Sequence, residues 1–170
     1  MDVYDALRTL LAVRKFQDRP VPTEVISKVV EAGRLTPSAK NGQPWHFVVV
    51  ENRDTLRKLA EIATTGRYTA DAAFAVVVTY EKGNEFGVSD ATMAVHSMML
   101  AAWGDGVGSN WVGFANRFTD PHAVLGLPAS LDVLAIIPFG YPEAEIGKGI
   151  KKRKPLAEVA SRETFGQAFA

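Results

Sequence analysis

The loop of residues 37–45, PSAKNGQPW, carries more polar and ring-bearing side chains than a connecting turn needs. Ser38, Asn41 and Gln43 can each donate and accept hydrogen bonds. The two prolines restrict the backbone and leave neighbouring amides and carbonyls available. Such a loop could hold a flat heteroaromatic ring by its polar edge. The alternative is an ordinary helix-to-strand turn anchored in the core by Trp45, and the residues alone favour that simpler interpretation.

Two short groups of cationic residues could bind a single phosphate. The first is Arg14 with Lys15, and the second is the basic segment 148–154, which contains Lys151 and Arg153. A few Lys and Arg side chains suffice for one phosphate, although each group alone is more typical of a solvated surface. The formal net charge of the chain is zero. A nucleic-acid partner or a general attraction to an anionic membrane is therefore not predicted.

The chain lacks a set of side chains for acid–base or nucleophilic catalysis. It has no cysteine, which excludes disulfides, thiolate metal sites and a cysteine nucleophile. His46, His96 and His122 lie far apart without metal-ligand spacing, so no metal site is predicted. The stretch GDGVGSNW at 104–111 follows a predicted helix and not a strand, which argues against a dinucleotide-binding loop. An enzyme with this sequence would need a cofactor to carry its reaction.

Hydrophobic periodicity predicts the helices and strands that would position these residues. Helices are predicted at 2–13, from Pro22 through Val30, after a cap at Asn52 or Asp54, from a cap at Ser89 or Asp90 to Gly104, and at 120–126. Apolar runs predict strands at 46–51, 74–80 and 133–141, with an extended segment at 109–114. Some connections are too short for regular crossovers, so the expected fold class is α+β.

The whole chain, 1–170, is expected to form one domain, because 170 residues, 47% of them hydrophobic, suffice for one full core and are too few for two comfortable domains. The N-terminus carries an early Asp and no long apolar run, so a signal peptide is not predicted. No uncharged stretch approaches the length of a membrane-spanning helix. A cytoplasmic location is therefore expected. The tail of about 143–170 should either wrap around its own domain or reach a partner subunit.

Five segments, in their order along the chain, resemble the nitroreductase family of FMN-dependent oxidoreductases. PSAKNGQPWHFVVV resembles the most specific signature, Pro-Ser-x-x-Asn-x-Gln-Pro-Trp followed by a strand. VRKFQDRPVP resembles the opening Arg-x-Phe segment, and DATMAVHSMMLAAWGDGVGSNWVGF resembles the central helix with its glycine-rich end. LAIIPFGYPEAE and KKRKPLAEV resemble the late strand ending in Gly-Tyr-Pro and the closing Arg-Lys-Pro segment. The resemblance covers nearly the whole chain.

The resemblance implies a three-layer α+β fold, with a central, mainly antiparallel sheet flanked by helices, in an intertwined homodimer. Two FMN sites would lie at the subunit interface, and the tail of about 143–170 would reach across to the partner. The implied activity is that of an FMN-dependent NAD(P)H oxidoreductase. A nicotinamide would pass hydride to flavin N5 and leave, and a nitroaromatic, quinone or related acceptor would take its place in a ping-pong reaction.

The resemblance also implies which residues bind FMN. Arg14, Lys151 and Arg153 would contact its phosphate. A backbone amide of the segment that contains Asn110 and Gly113 would lie near N5. No catalytic acid or base is implied, because the flavin carries the chemistry. The other chain would line the flavin with Pro37, Ser38, Ala39 and Asn41.

The expected phosphate site departs from the family at Leu10, Leu11 and Ala12, where Arg-Arg-Ser is common. Each lost charge-assisted hydrogen bond is worth roughly 1.5–3 kcal/mol. Arg8 and the basic tail are candidates to replace the missing groups. The alternatives are a deazaflavin as the ligand, a specialised reaction on the same fold, a flavin-binding protein with little turnover, or loss of the flavin site.

Overall fold

The computed structural model describes residues 1–63, 65–113, 118–144 and 151–169. Their helices are α1 Val3–Thr9, α2 Thr23–Arg34, α3 Arg53–Ile62, α4 Gly87–Gly104, α5 Pro121–Leu125 and α6 Leu156–Val159. Their strands are β1 Trp45–Val50, β2 Phe74–Glu81, β3 Gly108–Ser109 and β4 Leu131–Gly140. Short 3₁₀ turns lie at Ala39–Asn41 and Arg67–Asp71. The predicted strands are confirmed to within two residues, except that the extended segment yields only β3, and Phe114 lies outside the described residues.

The sheet is antiparallel at every described strand pair, in the order β1-β2-β4-β3. Successive side chains of a strand point to opposite faces. In β2, Val76 and Val78 pack with α2 and α4, whereas Ala75 and Val77 pack with α3. Helices thus cover both faces, which explains the unbroken apolar sequence of this central strand. The predicted three-layer α+β fold is confirmed.

Helix α1 ends at Thr9, so the prediction of a helix through residue 13 is wrong. The chain becomes extended after Leu10, and Val13 N–H donates to the carbonyl of Ser109 at 2.9 Å. The Val13 side chain is buried directly against the backbone of Gly108, where an added Cβ would collide with it. Pairing with β3 therefore outweighs the helical periodicity of this segment.

Of the predicted helix caps, the one for α3 is confirmed and the one for α4 is wrong. Asn52 caps α3, because its Oδ1 accepts a hydrogen bond from Thr55 N–H at 3.0 Å. Helix α4 begins at Gly87 after Phe86, which makes no side-chain cap, so the predicted cap at Ser89 or Asp90 is wrong. The carboxylate of Asp90 bonds to the 37–45 loop instead. Within the described residues, no helix combines the length and apolar character needed to cross a membrane.

Candidate functional site

The 37–45 loop has an unusual backbone for a stretch with one glycine. Lys40, Asn41 and Gln43 have positive φ angles of 52°, 55° and 49°. Such conformations in residues other than glycine are held in place by their surroundings and are concentrated at functional sites. Ser38 closes the loop, since its Oγ accepts from Gln43 N–H at 3.0 Å. The loop leaves Pro37 and Asn41 exposed, so it can present them to a ligand.

The loop also forms one wall of a cavity of about 310 Å³. Phe86 forms part of the lining, and Lys40 Nζ lies 5.7 Å from the centre of its ring. Asp90 and Glu85 supply carboxylates. The lining residues are Ala39, Lys40, Gly42, Pro44, Asn84, Glu85, Phe86 and Asp90.

Asn110 and Gly113 lie after β3, at the other edge of the sheet. The Asn110 side chain is buried, and its amide donates to the phenol oxygen of Tyr68. Gly113 has a φ of 71°, and a Cβ there would collide with the ring of Phe118. Sequence reasoning missed Tyr68, because nothing in its local pattern marks a partner 42 residues away.

Replacing Tyr68 by Phe should lower the free energy of unfolding by about 1–3 kcal/mol, because the buried amide of Asn110 loses its acceptor. Urea unfolding measures the effect. Tyr4→Phe is the matched control, because Tyr4 is 72% exposed and its replacement should change stability little. Equal effects of the two substitutions would contradict the assigned role of the Tyr68 hydroxyl.

The predicted phosphate-binding cations have different surroundings, and no described hydrogen bond joins them. Lys151 Nζ donates to the carbonyl of Leu7 at 2.6 Å, in the last turn of α1, where a cation is favourable. Arg153 bonds to the carbonyl of Lys152 at 2.8 Å. Arg14 is exposed and lines a separate cleft of about 680 Å³. The other residues that line this cleft are Lys15, Phe16, Asp18, Arg53, Arg57, Ala70, Asp71 and Glu143.

The residues that replace the usual Arg-Arg-Ser have structural contacts. Leu10 and Leu11 are partly buried and pack against a cluster that contains Val13 and Trp103. Arg8 is engaged by Asp5 in an exposed ion pair at 2.9 Å. The leucines thus extend the core, and Arg8 already has a partner.

The predicted flavin site has two halves, the 37–45 loop and the segment at Asn110, and they lie far apart within one chain. The 37–45 loop leads into β1, and Asn110 follows β3, the opposite edge strand. Three strand spacings separate these edges, which is about 14 Å. Trp45 pairs with Tyr80, and Tyr80 pairs with Asp132 of β4, whereas Ser109 pairs with Phe139 of β4. The loop end at Trp45 and the segment at Ser109 are therefore offset by about 23 Å along the strands. One chain does not bring the two halves together around a single ring.

The described residues contain no group of three or more His, Asp or Glu side chains that could hold a metal ion. His46 and His96 are exposed. His122, in α5, bonds through Nε2 to the carbonyl of Leu131 at the start of β4 at 2.8 Å.

Comparison with known proteins identifies relatives over most of the chain. The model of the Nitroreductase family matches residues 11–66 and 65–141. A protein of Methanothermobacter thermautotrophicus, provisionally named an NADH dehydrogenase/NAD(P)H nitroreductase, is 36% identical over 154 residues, which span 86% of this chain and 81% of that protein.

Solved structures show the same fold. A provisionally named NADH dehydrogenase/NAD(P)H nitroreductase from Parabacteroides distasonis has a TM-score of 0.86 and 28% identity, over 96% of this chain and 98% of that chain. A provisionally named nitroreductase from Desulfovibrio desulfuricans, solved in complex with FMN, has a TM-score of 0.81 and 30% identity. That alignment covers 97% of this chain and 98% of the other.

Proposed function

The chain belongs to the nitroreductase family, and from that premise we propose that it is an FMN-dependent NAD(P)H oxidoreductase acting on small-molecule acceptors such as nitroaromatics or quinones. When bound, FMN would supply the chemistry of hydride transfer between the nicotinamide and the acceptor, and the residues of this chain would hold and orient it. The observation that carries the proposal is the constrained polar loop at 37–45, which ordinary turn formation does not require.

The residues present fit FMN in their chemistry. A phosphate needs cations, and Arg14, Lys151 and Arg153 supply two guanidinium groups and one ammonium group. The polar edge of a flavin needs donors and acceptors, which Ser38 and Asn41 offer on a stiffened backbone. These groups would bind and orient the flavin and its partners, and none of them has to transfer a proton.

A homodimer is part of the proposal, with the loop of one chain facing the cations and the Asn110 segment of the other. Its first support is the separation of the two halves across and along the sheet. Its second is the tail 151–169, which contains no buried residue and carries exposed Leu156, Val159 and Phe165. A second copy of this chain would cover these side chains and would supply the missing half of each site.

The affinity for FMN should fall as the pH rises, and the fall should occur at a lower pH than the ordinary lysine pKa of 10.5 predicts. Partial burial, and after it the charge of Arg153, lowers the pKa of Lys151 below its ordinary value of 10.5. The ammonium group is present below this lowered pKa and is lost as the pH rises through it. Titrations of FMN at increasing pH measure the effect. Lys151→Arg, whose charge persists, should flatten the profile, and identical profiles would contradict the role of Lys151.

The test of the proposed function begins with an absorbance spectrum of the purified protein from about 300 to 550 nm and of its heat-released ligand. Released FMN, bleaching of the bound flavin by NADH or NADPH, and parallel lines in steady-state plots are the expected results. A protein that stays colourless after incubation with FMN would overturn the proposal. A released chromophore without flavin bands would indicate a deazaflavin, and bound FMN that NAD(P)H does not bleach would indicate a binding protein.

A further inference from the structure

We infer that Asp90 is the positioning residue of the 37–45 loop and that it acts through the backbone N–H of Ala39. Its carboxylate Oδ2 accepts from that N–H at 3.1 Å. Asp90 lies near the start of α4, and 51 residues separate it from Ala39 along the chain. The effect on FMN rests on the proposed function, whereas the effect on the loop does not.

The location of Asp90 is costly unless the carboxylate has a specific role. Asp90 is 5% exposed and is the one charged side chain among the buried residues of α4. Burying a carboxylate is unfavourable unless hydrogen bonds compensate for the lost water. Among the described residues, Asp90 makes no helix cap and no ion pair. The first turn of α4 favours a carboxylate, and the hydrogen bond that compensates for the burial of Asp90 is the one to the loop.

The contact falls where the loop backbone needs support. Ala39 directly precedes Lys40 and Asn41, whose φ angles are 52° and 55°. Within the described residues, Asp90 is the acceptor of the Ala39 N–H, and no other acceptor is found. A hydrogen bond to a carboxylate is stronger than one to a neutral group. It therefore fixes the peptide from which the left-handed turn begins.

A second contact from α4 to this region provides an internal comparison. Ser97 Oγ accepts from Thr36 Oγ1 at 2.8 Å, and it lies on nearly the same face of α4 as Asp90, because seven residues are close to two turns. The single hydroxyl proton of Thr36 can be donated instead to the carbonyl of Ala32, which lies 3.1 Å away. This second contact is redundant, whereas the contact of Asp90 is not, so the two substitutions should differ in effect.

The functional consequence concerns the loop residues that face the ligand. Ser38 and Asn41 flank the peptide that Asp90 holds, and both belong to the proposed flavin site. Asp90 contacts the backbone of the loop and would not itself touch the flavin, so it is a positioning residue. Loss of the contact should loosen the loop and weaken FMN binding without changing the cationic residues.

The experiment compares wild type, Asp90→Ala, Asp90→Asn and Ser97→Ala. Hydrogen exchange by mass spectrometry follows the peptide that contains Ala39 in the absence of FMN. We expect exchange at least about tenfold faster in Asp90→Ala, an intermediate rate in Asp90→Asn, which keeps a neutral acceptor, and a rate near wild type in Ser97→Ala. The dissociation constant of FMN and the visible circular dichroism of the bound flavin should change in the same order.

Unchanged exchange in Asp90→Ala would overturn the inference. If that variant does not fold, Asp90→Asn decides, and exchange equal to that of Ser97→Ala would overturn it. Faster exchange with wild-type FMN affinity and dichroism would overturn the claim that the loop position matters to the flavin. If wild type itself binds no FMN, the proposed function fails, and the exchange measurement still decides whether Asp90 holds the loop.

Discussion

Replacing both Arg14 and Lys151 by Ala is expected to weaken FMN binding by about 100-fold or more. Each charge-assisted hydrogen bond to a phosphate contributes roughly 1.5–3 kcal/mol, and about 1.4 kcal/mol corresponds to a factor of ten in affinity. Leu10 and Leu11 extend an apolar cluster, so they offer no replacement charge. The proposed phosphate site would therefore depend on fewer cations than the Arg-Arg-Ser pattern of the family resemblance implies.

Quenching of FMN fluorescence on titration with protein measures this loss. The matched control is Lys152→Ala with Lys154→Ala, which removes the same number of positive charges from exposed positions. If these positive charges acted only through the long-range electrostatic attraction of FMN, both double variants would weaken binding equally, and the effect would disappear at high salt. That outcome, or normal binding by Arg14→Ala with Lys151→Ala, would contradict the assignment of these two cations.

Replacing Gly113 by Ala is expected to lower the free energy of unfolding by about 2–4 kcal/mol. The backbone at Gly113 has a φ of 71°, which alanine adopts at a cost. The added methyl group would also collide with the ring of Phe118, which packs with the α3 side of the core. The substitution therefore combines backbone strain with overpacking.

Gly126→Ala separates the two contributions. Gly126 has a similar φ of 63°, but apart from its immediate chain neighbours no described atom lies within 4 Å of the position of an added Cβ. Its replacement should cost about 1 kcal/mol, since only the backbone is strained. Urea unfolding at one fixed protein concentration measures both variants, because dimerisation would make stability depend on concentration. Equal losses would contradict the packing of Phe118 on Gly113.

The sequence allows the sheet to be predicted better than the helix ends. The run FAVVVTY forms β2 because helices cover both faces of the sheet, so an unbroken apolar run suffices to identify the strand. Helix α1 is shorter than its periodicity predicts, because Val13 pairs with Ser109. That contact joins segments almost 100 residues apart, and no local pattern contains it.

The candidate site likewise has features that the sequence predicts and features that only the folded structure shows. Residue types identify the 37–45 loop and the basic tail as unusual, since both are visible in a few consecutive letters. The left-handed backbone at Lys40 and Gln43 is not visible, because neither residue is a glycine. The partners of Asp90 and Tyr68 are invisible for another reason, since the folded chain alone brings them together.

The central claim is that each flavin site takes its loop from one chain and its cations from the other. The direct test uses two variants, Ser38→Ala with Asn41→Ala, and Arg14→Ala with Lys151→Ala. Each is made with a different affinity tag, and the mixed dimer is isolated through both tags after co-expression. In the mixed dimer, the loop of the second variant faces the cations of the first, so one of the two sites is native.

FMN titration of this mixed dimer is the decisive measurement. The account predicts that it binds one FMN with wild-type affinity, whereas the homodimer of each variant binds FMN weakly. If the loop and the cations served the same site within one chain, both sites of the mixed dimer would be defective. Weak binding at both sites would therefore contradict the account.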